Sequence, residues 1–407
     1  MRVAFYAPLK PPDHPVPSGD RRMARLLFAA MEQAGHQVEL ANRLRSRDGA
    51  GDEQRQARLA NIGRARADRL LRRYAARPSG ELPELWFTYH VYYKAPDWIG
   101  PRVAEALEIP YVVAEASVAH KRADGPWDAG HRATLAALDQ AVRIVTLNPL
   151  DLDCLPDRSR ARLLPPFLDV EPYLRAAGQR ARHRNRLSAR FGLDPEEPWI
   201  VTVAMMRPGD KLESYRVLGR ALAELLELRW QLIVVGDGTA RPEVEAALGG
   251  PTPDAEGKKA LFERVHLAGQ SSENEVAAVL AACDLMAWPA INEAFGMAFL
   301  EAQASGLPVV AGRSGGVAAV VHEDESGLLV EPGDPEAFTS ALRQLLINKE
   351  RRLGMAWAAK ARATTNHALE VAATRLDQIL VEAKQAGARK PVAALPPPEP
   401  QGADLKP

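Results

Sequence analysis

Two glutamates, Glu293 and Glu301, stand eight positions apart around the apolar stretch 295–300, with Gly296 between them. Eight helical residues rise ~12 Å and turn about 80°. A carboxylate in a loop ahead of a helix from about Phe295, and another two turns in, would therefore address opposite ends of one elongated ligand. The helix N-terminus between them offers unpaired N–H groups and partial positive charge to an anion. Gly296 lets that backbone come close. A diphosphate with a hydroxyl-rich group at each end fits such a site. The plainer alternative makes Glu293 a helix cap and Glu301 a surface residue of an amphipathic helix.

Upstream, the apolar run 199–203 opens into a loop carrying Arg207 and Lys211. Two cations there can neutralise a diphosphate, Arg by its bidentate fork and Lys as a point charge. Otherwise the loop is solvated and Lys211 pairs with Asp210 or Glu213. Gly236-Asp237-Gly238 resembles the start of a dinucleotide fingerprint, but Arg241 stands where the third glycine belongs. Gly312-Arg-Ser-Gly-Gly316 matches a hydrolase elbow, for which His322, Asp324 and His367 are the imaginable partners. Close approach to a ligand or a tight turn explains its glycines better. Asp151-Leu-Asp153 lacks a second cluster of metal ligands, so helix capping is the expected role.

The elements that must position these residues are short apolar runs alternating with amphipathic segments, the pattern of parallel sheets covered by helices on both faces. Strands are expected at 3–6, 37–40, 85–89, 111–114, 144–147 and 162–164, then at 199–203, 231–235, 265–268, 285–288, 308–311 and 327–330. Two doubly wound α/β domains follow, and their facing carboxyl ends make one cleft. The expected division is 1–190, 191–350, C-terminal helices over 351–388 packing back towards the first domain, and a disordered Pro-rich tail at 389–407. Within it, 351–384 reads as helix, with Leu353, Trp357, Leu369, Ala373, Leu376, Ile379 and Leu380 near a 3.6-residue spacing.

A length of 407 residues suits two domains, since domains cluster at roughly 100 to 200 residues. The 52 basic residues balance 52 acidic ones. The chain therefore has no global attraction to nucleic acid, which is not an expected partner. Cys154 and Cys283 are the only cysteines. They exclude a disulfide framework or a cysteine zinc cluster and fit a reducing cytosol. No stretch approaches the ~18 apolar residues of a spanning helix, and the run from Val3 to Leu9 lacks a leader's cleavage site. The expected location is cytoplasmic. Residues 41–80 carry eleven arginines against four acids. As a basic amphipathic helix, this segment could lie on anionic lipid at the inner membrane face, or form a solvated face packed on the first domain.

Five landmarks recur in order: Arg207…Lys211, VVGDG, RVHLAGQ at 264–270, Glu293-Ala-Phe-Gly…Glu301, and ASGLPVVA followed by SGGVAAVV at 314–321. Over 199–332 they resemble the retaining glycosyltransferases of family 4, which have the GT-B fold. A thinner resemblance covers 16–40 and LLPPFLD at 163–169. It implies that Glu293 touches the donor sugar as the catalytic residue, that Glu301 holds the ribose, and that Arg207 and Lys211 bind the diphosphate. Backbone groups at Phe295, Gly296 and Met297 would contact sugar and phosphate, with Gly19 approaching from the first domain. Two positions depart from the family: Ala319 where a glutamate is common, and Glu115 where a histidine follows the fourth strand. Glu115, His90 and His120 are the acceptor-side candidates. The implied activity is transfer from a nucleotide-diphosphate sugar to a glycan or lipid-linked hydroxyl, with no metal and no cofactor besides that co-substrate. A nucleotide-sugar epimerase and a non-catalytic nucleotide-sugar binder are the alternatives.

Overall fold

The structure is a computed structural model, and it describes residues 1–16, 18–250 and 256–387. The expected tail at 389–407 lies outside the described residues. Every expected strand is present, the fifth, sixth and eleventh each displaced by one residue. The first sheet comprises β1 (Arg2–Tyr6), β2 (Gln37–Asn42), β3 (Leu85–Tyr92), β4 (Tyr111–Ser117), β5 (Arg143–Thr146) and β6 (Ala161–Leu163). It is parallel throughout, in the order β2-β1-β3-β4-β5-β6. The second comprises β7 (Trp199–Val203), β8 (Gln231–Val235), β9 (Val265–Gly269), β10 (Leu285–Trp288), β11 (Val309–Gly312) and β12 (Gly327–Val330). It too is parallel, in the order β12-β11-β10-β7-β8-β9.

Strands covered on both faces must be apolar on both faces, and the run Val3 to Tyr6 and all of β10 are buried. Helices α1 (Gly19–Gln33), α2 (Glu53–Ala75), α3 (Gly100–Ala106) and α4 (Asp128–Gln140) belong with the first sheet. Then come α5 (Glu171–Ala177) and α6 (Arg180–Phe191), and α7 (Asp210–Ala223), α8 (Arg241–Ala247), α9 (Glu256–Phe262), α10 (Glu273–Ala282), α11 (Met297–Ala304) and α12 (Pro335–Ile347). Both α5 and α6 pack against α10. By packing we propose that they go with the second domain, although α5 precedes the expected boundary at 190 and α6 runs across it.

The expected continuous helix over 351–384 is two helices, α13 (Lys349–Asn366) and α14 (Leu369–Gly387). The break is a crossing between domains. His367 Nδ1 donates to Pro166 O at 2.7 Å, and Leu168 N donates to His367 O at 2.9 Å, so the two interdomain connections lie side by side. On the near side, α13 packs on α11 through Met355, Ala359 and Ala363, leaving Leu353 and Trp357 59% and 77% exposed, against expectation. The small-residue face wins because α11 approaches on that side. On the far side, Leu376, Ile379 and Leu380 of α14 join the core under the first sheet and pack beside α1.

Both sheets have a topological switch point, where the strand order reverses and a crevice opens beyond the carboxyl ends. In the second sheet it lies between β7 and β10, and in the first between β1 and β3. These four strands lead to Gly19, His90, Arg207, Lys211 and Glu293, while Glu115 and His120 belong to β4 and its exit.

Candidate functional site

On the second-domain side, the loop after β7 is seated by two glycines of the loop after β8. A Cβ on Gly236 would fall 1.9 Å from Ala204 O, and one on Gly238 would fall 2.1 Å from Met206 O. Met206 N donates to Asp237 O at 3.0 Å. The Gly-Asp-Gly turn is therefore a backbone seat for this loop. Arg207, just beyond it, is exposed, and among the described residues its guanidinium meets only Met205 Sδ, at 2.8 Å.

Lys211 enters the first turn of α7 and forms an ion pair with Glu293 Oε2. Its ammonium also lies 5.4 Å from the Trp288 ring centroid. The alternative partners are engaged elsewhere, Asp210 with Asn292 and Glu213 with Arg216. Glu293 does not cap a helix. It sits in the turn after β10, where Ala290 and Asn292 take left-handed backbone (φ 57° and 50°). Strained backbone persists only where its surroundings enforce it, and it clusters at functional sites. Here Ser214 Oγ accepts from Ile291 N at 3.1 Å, and Ala294 O accepts from Gly316 N at 2.7 Å. A Cβ on Gly315 would meet Glu293 O at 2.3 Å. The glycines of 312–316 thus buttress the Glu293 turn. The imagined hydrolase partners are dispersed, with His322 on Arg362, Asp324 on Arg351 and His367 on Pro166.

Helix α11 begins at Met297, two residues later than expected, because Gly296 is left-handed (φ 67°). A Cβ there would fall 2.2 Å from the Phe299 ring, so the position needs glycine for packing as well as for backbone. Glu301 consequently lies little more than one turn into the helix. It is 5% exposed, and Arg22 of α1 in the first domain donates to its Oε1. Arg22 also donates to Tyr173 Oη at 2.9 Å. Burial pushes the Glu301 carboxyl up, while Arg22 pulls it down. This interdomain ion pair was not anticipated from the sequence. Among the described residues, Glu301 Oε2 has no hydrogen-bond partner.

The first-domain side assembles four titratable groups. His90 Nδ1, at the carboxyl end of β3, lies 3.1 Å from Asp20 Oδ1 on the first turn of α1. Glu115 accepts from Leu147 N at 2.8 Å. Both His90 and Glu115 are left-handed (φ 65° and 57°). Asp151 completes the group, its carboxyl raised by burial against the pull of His90. The cap of its short 3-10 helix is Asn148, whose Oδ1 accepts from Leu150 N at 3.1 Å, so the expected capping role for Asp151 is not observed. Asp153 pairs instead with Arg158. His120 joins none of these by a hydrogen bond or ion pair among the described residues, and its ring faces His131 6.1 Å away. Gly19 opens α1 behind the Ser18 cap, and a Cβ there would meet nothing within 4 Å. Burial lowers the Lys10 ammonium, with Arg45 and, from the second domain, Arg207 adding to the effect.

Burial pushes the Glu115 carboxyl up to about 7, with Asp151 and Asp20 acting the same way and Leu147 N–H and His90 opposing. A carboxyl whose folded-state pKa exceeds its unfolded value of about 4.3 is protonated more readily when folded, so it removes stability as pH rises from there to about 7. We expect Glu115→Gln to gain on the wild type between about pH 5 and pH 8 in chemical denaturation. A constant difference would contradict the raised carboxyl.

Among the described residues, no helix is long and apolar enough to cross a membrane, and no three His, Cys, Asp or Glu side chains are placed to hold a metal ion.

Residues 197–348 match the family model described as glycosyl transferases group 1. A D-inositol 3-phosphate glycosyltransferase of Nocardioides sp. is 35% identical over 202 residues, covering 47% of this chain and 42% of the relative. Another of the same name, from Xylanimonas cellulosilytica, is 31% identical over 251 residues, 62% of this chain and 57% of the relative. The matched stretches thus span about half the length of these curated relatives. Among solved structures, Anabaena HepE in complex with UDP superposes with a TM-score of 0.69 at 15% identity, covering 94% of this chain and 100% of that one. That likeness establishes the architecture. The chain therefore has the GT-B fold, and its residues 197–348 carry the match to the group 1 glycosyl transferases.

Proposed function

We propose that the chain is a retaining glycosyltransferase that moves a sugar from a nucleotide-diphosphate sugar to a hydroxyl acceptor in glycan, polysaccharide or glycolipid synthesis. One observation carries the reading: the β7/β10 switch point brings the Lys211–Glu293 pair beside the α11 N-terminus, with exposed Arg207 on the adjoining loop. Further support comes from the solved HepE complexes, which hold UDP and UDP-glucose.

In this reading the diphosphate lies on the first N–H groups of α11, at Met297 and beyond, with Arg207 and Lys211 as its cations. Fixed donors and charges stabilise the leaving diphosphate as the glycosidic bond breaks, without reorganisation in the transition state. Those cations leave no required role for a metal or for any cofactor besides the co-substrate. Glu293 orients the sugar and stabilises positive charge developing near the anomeric carbon. Glu301 accepts from the ribose through Oε2. The His90, Glu115, Asp20 and Asp151 group faces the acceptor, and domain closure excludes water. A cytoplasmic location is part of the proposal, with segment 41–80 contacting an anionic membrane face.

The test is incubation with nucleotide sugars and candidate acceptors, followed by NMR of the product's anomeric coupling. Transfer with retention is expected, and inversion would overturn the retaining assignment. Lys211→Ala should weaken binding of the free nucleoside diphosphate by about tenfold, the worth of one charge-assisted contact. Wild-type affinity in that variant, measured by calorimetry, would remove Lys211 from the site.

A further inference from the structure

Outside the cleft, the first domain carries a groove of about 550 Å³ between β2 with its exit and α2, lined by Arg43, Arg45, Arg66, Arg69, Arg73 and Leu70. The positions follow from periodicity. Arg66, Arg69 and Arg73 fall at i, i+3 and i+7 on one face of α2, and Arg43 and Arg45 alternate on one side of the strand's extension. β2 is an edge strand, so no further strand covers this flank. Acids neutralise only part of the charge: Asp13 pairs with Arg43, and Glu39 lies 3.7 Å from Arg73 while also holding Arg77. Among the described residues, the Arg66 and Arg69 guanidinium groups make no hydrogen bond or ion pair. Like charges one turn apart disfavour a helix, so the stripe is not explained as helix support. Arg45 bonds Leu9 O at 3.2 Å, tying the groove's upper end to the loop that leads from β1 towards the cleft.

We propose that this groove is a second binding site, which takes a ligand through clustered phosphate groups. Guanidinium forks match phosphate oxygens two at a time, and every cation lining the groove is an arginine. Residues 66–73 span roughly 10 Å of helix, room for two or three phosphates rather than one. Leu70 offers the ligand's body an apolar floor. The volume lies within the range of about 300 to 1,000 Å³ usual for small-molecule sites. The chemistry is shared by a soluble polyphosphorylated molecule and by the headgroups of anionic phospholipid. The latter would localise the membrane contact proposed above. Neither depends on the donor-site reading.

The test uses the full chain carrying Lys211→Ala, so that phosphate uptake at the donor cleft is suppressed. Sodium tripolyphosphate is titrated calorimetrically, and flotation is measured with phosphatidylglycerol and with phosphatidylcholine vesicles. Adding Arg66→Ser with Arg69→Ser should weaken binding by about tenfold or more. Arg58→Ser with Arg64→Ser, on the same helix outside the groove, should leave it within about twofold. Circular dichroism confirms that both variants fold. Saturable tripolyphosphate binding with that pattern supports a soluble ligand. Phosphatidylglycerol-only flotation with the same pattern supports a lipid headgroup. Equal losses in both variants, or no binding of either probe, overturn the proposal.

Discussion

Glu293→Gln is expected to lower the kcat of sugar transfer by about 10²- to 10³-fold, the usual worth of one preorganised electrostatic group, while the melting temperature barely moves. The turn that presents Glu293 is fixed by its backbone and neighbours. Ser214 receives Ile291 N, Asp210 receives Asn292, and Gly316 N reaches Ala294 O. The carboxylate itself is one-fifth exposed and, among the described residues, engages only Lys211 and, at 3.4 Å, Trp288 Nε1. Glutamine keeps the shape and removes the charge. Lys211 is a third exposed, so losing its partner costs little folding free energy. Loss of activity with an unchanged melting curve therefore separates chemistry from architecture. A variant within about threefold of wild type would show that no such charge acts on the anomeric carbon.

Arg22→Met should have the largest effect on stability of any single substitution at the site, about 2–4 kcal/mol by chemical denaturation. It strands the Glu301 carboxylate, whose side chain is 6% exposed, without its cation. Glu301→Leu should cost less, because Arg22 keeps Tyr173 Oη and is about a quarter exposed. Combining the two should recover most of the loss, as apolar replacement of a buried pair often does. The pH dependence adds a second signature. Burial already raises the Glu301 carboxyl, and removing Arg22 raises it further. The penalty in Arg22→Met is then present while the carboxyl is ionised and is relieved as pH falls through its folded pKa. Equal losses in the two single variants, or additive losses in the double, would mean that the interdomain pair contributes no coupling.

Pattern made the scaffold legible. Apolar runs buried on both faces define central strands such as β1 and β10, and the residues just beyond β7 and β10 stand out because ligands gather there. The site is less so, since ion pairs form between residues far apart in sequence. Arg22 and Glu301 are separated by 279 positions. A signal did exist: Arg22 falls in line with Leu26 and Ala30 on the buried face of α1. Helix α11 is apolar all round, so Glu301 within it had to be buried and partnered rather than placed on a wet face. Asp20 and Asp151 were missed as neighbours of His90 because the fold, not spacing, gathers the ends of β1, β3 and β5. The break at His367 carries no proline or glycine, since the domain crossing imposes it.

The proposed transfer requires the cleft at the β7/β10 switch to bind an activated sugar through its diphosphate. Calorimetric titration of the full chain with a panel of nucleoside diphosphate sugars tests this most directly. Saturable binding of one nucleotide series is predicted, with Arg207→Ala weakening the diphosphate and its sugar alike. Dilution heats for every member of the panel would contradict it.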